Sequence, residues 1–254
     1  MRGELLALLG CLALPGFPPG GASAEVALEP DSFSYPEDPD PAQMTDDWWD
    51  VHYRALFAER NVSSDPRRPG FLGLQSGSLT GGVGEAQLER VLACVRELLP
   101  LEIGARQRRI LVLGCGLSPL VWALADSLGA EAAVACLEIS AQLVARLEAA
   151  ASGLPRPPRF LVADVAALAR RRGAVVAELG EADLVLDENV LDGLACRFPP
   201  SDGAASVRSA LAGARAVLKP GGALLAVSFL PLEGGPFEGA FEGWQRLAAA
   251  CRAQ

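Results

Sequence analysis

The chain has 254 residues, a formal net charge of −9 and a pI of about 4.8. That acidity argues against a broad nucleic-acid footprint, and the length allows one α/β domain plus an N-terminal extension. Six cysteines without paired spacing and a single histidine, His52, argue against a zinc site, a disulfide framework or Ser-His-Asp hydrolysis.

Residues 1–24 have the form of a signal or targeting segment. Arg2 gives a basic start, Leu5 to Leu14 is an apolar run too short to span a bilayer as a helix, and Ala22-Ser23-Ala24 has the small-x-small form of a cleavage site. The expected route is secretory or into a signal-dependent organelle, with a cytoplasmic location as the alternative. Residues 25–44, acidic and rich in proline, read as a disordered linker. The folded domain is expected over 45–254.

Thr45 is placed to cap a helix carrying Asp46 and Asp47 in its first turn. Trp49, His52, Tyr53, Leu56 and Phe57 recur at helical spacing. The stripe suits either a core-facing helix or a lid beside a ligand mouth. Glu85 to Leu99 predicts an amphipathic helix with Leu88, Val91, Leu92, Val95, Leu98 and Leu99 on one face.

Ile110-Leu111-Val112-Leu113 is a continuous aliphatic run, the signature of a parallel strand covered on both faces. It enters Gly114-Cys115-Gly116, then a helix from Pro119 with Ser118 as its cap. Glycines there allow a sharp turn and close approach of the backbone to a ligand. Glu138 follows a second strand, Ala133 to Leu137, at about the twenty-residue spacing of a carboxylate that grips ribose hydroxyls. The third glycine of a dinucleotide fingerprint is missing, since Leu117 and Pro119 stand in that turn. A nucleoside site without a pyrophosphate seat suggests S-adenosylmethionine. A bare strand–turn–helix is the competing reading.

Ser140 caps the next helix, to about Ala151. Arg159 to Val162 reads as the third strand, ending at Asp164, which suits either an adenine amino group or a helix N-cap. Asp183 to Leu186 is the fourth strand, and it delivers Asp187, Glu188 and Asn189 to the end where open parallel sheets bind ligands. Helices are expected over 190–195 and 206–218. Lys219-Pro220-Gly221-Gly222 reads as a turn and Ala223 to Phe229 as the fifth strand. The alternation predicts a doubly wound, Rossmann-like, mostly parallel α/β sheet.

Four blocks between Trp48 and Trp244 resemble one family. Ile110 to Leu120 is similar to "ILVLGCGNSxL", and Ala182 to Leu194 to "FDVVLDKGTLDAL". Val217 to Phe229 is similar to "RVLxPGGxLxxISF", and Trp49 to Tyr53 to "YWDxRY". The chain thus resembles the seven-β-strand S-adenosylmethionine-dependent methyltransferases, within them the group that contains elongation-factor and citrate synthase lysine methyltransferases. The resemblance implies a protein substrate presenting a lysine; the acidity, the short apolar run and the lack of a Cys/His cluster predict no nucleic acid, no membrane span and no metal.

It further implies that Gly114, Cys115 and Gly116 line the methionine part of the cofactor and Glu138, with Ile139 beside it, holds the ribose. Asp164 and Val165 would flank the adenine. Asp187 would face the methyl-transfer mouth, where Asp187 or Glu188 would act on the substrate amine. Trp49, Tyr53 and Asn189 would shape the lid and substrate side. The chain departs from the family where Glu188-Asn189-Val190 replaces Lys-Gly-Thr. The family's last two edge strands are expected to be missing, leaving the fifth strand as an open edge and 245–254 as a helix fragment. A small-molecule methyltransferase and a non-catalytic module on the same fold are the alternatives.

Overall fold

The computed structural model describes residues 5–10, 49–50, 53–54, 85–99, 106–195, 200–228, 237, 240–241 and 245–246. In chain order the elements are β1 (Leu5–Gly10), α1 (Glu85–Leu98), β2 (Arg108–Leu113), α2 (Leu120–Leu128), β3 (Ala132–Glu138), α3 (Ala141–Ala151), β4 (Arg159–Val162) and α4 (Leu168–Leu179). Then come β5 (Ala182–Glu188), α5 (Val190–Ala195), α6 (Pro200–Val217), β6 (Leu218–Ser228) and β7 (Gln245–Arg246). The expected linker, residues 25–44, lies outside the described residues.

The strands form one sheet in the order β4-β3-β2-β5-β6-β1-β7, and every pairing is parallel. The doubly wound α/β fold expected from the alternation is therefore present. Its physical basis is the run of apolar residues in β2, β3 and β5, buried on both sides. Ile110, Val112, Val134, Cys136, Leu184 and Leu186 face one core layer, covered by α1, α2, α3 and Tyr53. Leu111, Leu113, Ala135, Leu137 and Val185 face the other, covered by α4, α5 and α6 with Phe237 and Phe241. The chain winds outward from β2 to β4, then returns to β5 beside β2 and winds the opposite way. The sheet's topological switch point therefore lies between β2 and β5.

The expectation of an open edge is corrected. β6 is covered by β1, paired from Leu5↔Ala223 to Gly10↔Ser228. β1 in turn carries β7, so Gln245–Arg246 is strand and not helix. A row of unpaired N–H and C=O groups on β6 is a template for any nearby extended apolar segment. Leu5 to Gly10 meets that requirement, and no local spacing rule reveals which segment a sheet edge will take. The Lys219–Gly222 turn also survives in altered form, inside β6. Ala182 pairs with Leu218, but the next partners are Leu184 and Ala223, so the turn is a bulge of the strand, with Gly221 at φ 80°.

At the amino ends of the strands, Asp183 ties β5 to its neighbours. It accepts hydrogen bonds from the Arg109 N–H at 2.8 Å and Lys219 Nζ at 2.5 Å, and pairs with Arg106 at 3.2 Å and Arg108 at 3.6 Å. Burial raises its pKa, but the Lys219 hydrogen bond, the Arg109 N–H and the charges of Lys219 and Arg106 outweigh it and hold the carboxyl below its ordinary range. Among the described residues no helix is long and apolar enough to cross a membrane.

Candidate functional site

The carboxyl ends of β2, β3 and β5 carry the three loops that sequence reasoning singled out. Gly114 and Gly116 both adopt left-handed backbone, φ 55° and 49°. A Cβ on Gly114 would lie 2.3 Å from Val190 Cγ2, so the β2 loop packs directly on the start of α5. This is the close approach that only glycine permits. The loop is pinned by its own N–H groups: Gly114 N donates to the Leu137 carbonyl at 2.6 Å, and Ser118 N to the Cys115 carbonyl at 3.0 Å. Ser118 also accepts from Leu120 N at 3.1 Å, which caps the start of α2.

Glu138 is the centre of the site. Its side chain is buried, and its oxygens accept from Gly116 N at 3.0 Å, Ile139 N at 2.9 Å and Ser140 N at 3.1 Å. Burial raises its pKa, the three N–H bonds oppose the rise, and Asp50 adds to it. Two of the bonds end on Oε1 and one on Oε2. A carboxylate oxygen has two lone pairs, so Oε2 retains an acceptor position for an incoming hydroxyl. The acceptor position therefore fits a hydroxyl such as those of a ribose edge.

Tyr53, Trp49 and Asp50 sit over this loop. Tyr53 is 4% exposed, and its hydroxyl would stand 3.4 Å from a Cβ on Gly116. Trp49 stacks on it with ring centroids 5.9 Å apart. Burial, and then the charge of Glu138, push the Tyr53 phenol well above its ordinary pKa. Asp50 holds the segment down: it accepts from the Ser140 hydroxyl and, at 3.3 Å, from Gln142 N. Ser140 accepts in turn from Leu143 N at 3.1 Å as the N-cap of α3. Of the Trp49–Tyr53 stripe, Tyr53 is a core residue and Trp49 packs against it. Asp50 was missed as an anchor; its only signal was its place between Trp49 and Tyr53. His52 lies outside the described residues.

Beyond Glu138, Ile139 is half-buried and Asp164 and Val165 follow β4, the neighbour of β3. Ala163 N donates to the Glu138 carbonyl at 2.9 Å, which brings the two loops together. Asp164 accepts from Ala166 N at 2.8 Å and caps the short turn Val165–Ala167. Val165 is buried in the second core layer.

β5 separates its two carboxylates. Alternation along the strand puts Asp187 on the side of Val185 and Glu188 on the side of Leu184 and Leu186, the side that Glu138 also faces. Asp187 is wholly buried, accepts from Leu191 N at 3.2 Å and leaves Oδ2 with no hydrogen-bond partner. Burial pushes its pKa well up, the Leu191 and Val190 N–H groups oppose this, and Asp192 and Glu188 add to it. Asn189 is the only described non-glycine residue at positive φ, 64°, and its Oδ1 is buried without a partner. Its backbone is held by Val227 O at 2.9 Å and Gly193 N at 3.1 Å.

The sequence argument against disulfides is corrected at this site. Cys115 and Cys136 are bonded, with Cα atoms 6.0 Å apart. Separated by 21 positions, the two cysteines match no local motif; adjacency of β2 and β3 is what brings them together.

No family model and no curated protein matches the chain. Among solved structures it is similar to TrmN from Thermus thermophilus, at 28% identity over 54% of this chain, with a TM-score of 0.37. The match spans 38% of that protein's chain.

Proposed function

We propose that the chain binds S-adenosylmethionine and transfers its methyl group to the side-chain amine of a lysine in a protein substrate. The observation that carries this reading is Glu138, a buried carboxylate beside the switch point, bonded to the glycine-loop N–H and keeping one acceptor position. The four sequence blocks support it independently. In this reading Gly114, Cys115 and Gly116 border the methionine part, Glu138 and Ile139 the ribose, and Asp164 and Val165 the adenine. The bound cofactor supplies an electrophilic methyl group on a sulfonium. The protein's work is in-line positioning and exclusion of water. Glu188, on the Glu138 side of the sheet, orients the amine and takes up its proton. Asp187 holds the turn into α5 behind it, and Trp49, Tyr53 and Asn189 shape the mouth. The Cys115–Cys136 bond favours an oxidising compartment, reached without cleavage of the first 24 residues, since Leu5–Gly10 is a strand of the sheet.

Tyr53 favours a second reading, a non-catalytic module on the same fold, because its hydroxyl occupies the space next to Gly116. Thermal unfolding of the full chain with and without S-adenosylmethionine separates the two. A ligand at about 100 times its Kd adds roughly 2.7 kcal/mol, a shift of several degrees for a domain of this size. A shift that Glu138→Ala abolishes supports the enzyme, and labelled methyl incorporation into lysate proteins then tests the substrate class. A cooperative transition with no shift rejects cofactor binding.

A further inference from the structure

We infer that the Cys115–Cys136 disulfide is a cleavable clamp on the glycine loop, one that holds the loop in its ligand-ready shape and releases it on thiol–disulfide exchange. The consequence for S-adenosylmethionine rests on the function proposed above; the clamp itself does not.

Four observations converge. Cys115 is the residue between the two glycines, both at positive φ, so the disulfide is the one covalent tie on a turn otherwise held by hydrogen bonds and packing. Cys136 lies in β3, two residues before Glu138, so the bond ties the loop to the strand that presents the buried carboxylate. The same sulfur accepts the Cys115 N–H at 3.3 Å, while the next N–H, of Gly116, ends on Glu138 at 3.0 Å. Finally, both cysteines are buried, Cys136 at 0% and Cys115 at 4%, so exchange requires the loop to open, and the loop sulfur, that of Cys115, is the one such opening uncovers.

The chemistry balances with a low-mass thiol as reductant. Its thiolate attacks the Cys115 sulfur and the S–S bond breaks. The Cys136 thiolate leaves and takes a proton. A second reductant thiolate then frees Cys115 and yields the reductant's disulfide. Two electrons pass to the protein sulfurs, and the reverse reaction with a low-mass disulfide closes the clamp. Because binding couplings are reciprocal, a ligand that prefers the clamped loop also shifts the thiol–disulfide equilibrium toward the disulfide.

The test uses the full chain purified without reductant. Blocking free thiols, digesting without reduction and identifying peptides by mass should recover the 115–136 cross-link. Amide hydrogen exchange of Gly114 to Ser118 should then rise at least tenfold on treatment with dithiothreitol and in Cys136→Ser. The variant isolates this bond, because Cys94 is also disulfide-bonded and would be reduced as well. Cys115→Ser is the second variant if Cys136→Ser fails to fold. By calorimetry the Kd for S-adenosylmethionine should weaken at least tenfold in the reduced protein and in the variant, and dithiothreitol should change the variant no further. Absence of the cross-link, or exchange and affinity unchanged by reduction, overturns the clamp. A cross-link with accelerated exchange but no cofactor binding in any state supports the clamp and rejects the proposed function.

Discussion

Gly114→Ala should cost more than Gly116→Ala, and the reason is measurable in the site. Both glycines adopt left-handed backbone. A Cβ there costs roughly 1–2 kcal/mol by backbone sterics alone. The surroundings differ. At Gly116 the nearest atom to a new Cβ is the Tyr53 hydroxyl at 3.4 Å, an ordinary contact. At Gly114 it is Val190 Cγ2 at 2.3 Å, against an optimum of about 3.5–4.0 Å between carbons. Overpacking of this kind adds about 1–3 kcal/mol. Gly116→Ala should therefore lose roughly 1–2 kcal/mol and Gly114→Ala roughly 2–5 kcal/mol. Val190→Ala removes the clashing methyl, so the Gly114→Ala, Val190→Ala double variant should be more stable than additivity predicts, by about 1–3 kcal/mol. Urea unfolding followed by tryptophan fluorescence reads the four variants against the parent protein. Equal costs for the two glycine variants, or strict additivity in the double variant, would refute the packing of the β2 loop on α5.

Two carboxylates should respond to pH in opposite directions. The folded pKa of Asp187 is raised above 3.8, so between the two values the folded state binds more protons than the unfolded one, and this group's contribution falls as pH rises through that interval. Asp187→Asn keeps an acceptor for the Leu191 N–H and removes the titration. Urea midpoints from pH 4 to 8 should decline less steeply in the variant, and parallel slopes would contradict the assignment. Asp183 has a lowered pKa, so its stabilisation is present above pH 3.8 and is lost as pH falls through the folded value. Asp183→Asn should cost about 2 kcal/mol at neutral pH, less than a fully buried pair because Arg106 stands in solvent. The cost should shrink in acid; a cost independent of pH would show that the charge plays no part.

The central elements were legible because their signals are local. Ile110 to Leu113 needs only a run of aliphatics to declare a strand buried on both sides; α5 was predicted to the residue, and β4 starts as expected at Arg159 but ends at Val162, short of Asp164. The Ser140 cap was read from one side chain and the register of the helix after it. Glu138 was found from its spacing to the glycines. The roles of Asp50, Asp183 and Cys136 were not found, because each acts on a partner far along the chain. Asp50 reaches Ser140 across 90 positions and Asp183 reaches Arg109 across 74. β1 lay beyond local reasoning for the same reason: its partner begins more than 200 positions later, at Ala223.

The sequence by itself determined the layered α/β arrangement and the ends of the strands at which a ligand would sit. Both follow from hydrophobic period and turn chemistry, which are properties of neighbouring residues. Only the tertiary structure decided which segment covers β6, which cysteines meet, and on which side of β5 each carboxylate lies. Those outcomes depend on strand order and register. A shift of one residue would carry Glu188 to the α5 side and Asp187 to the Glu138 side, and nothing local to the two residues distinguishes the alternatives.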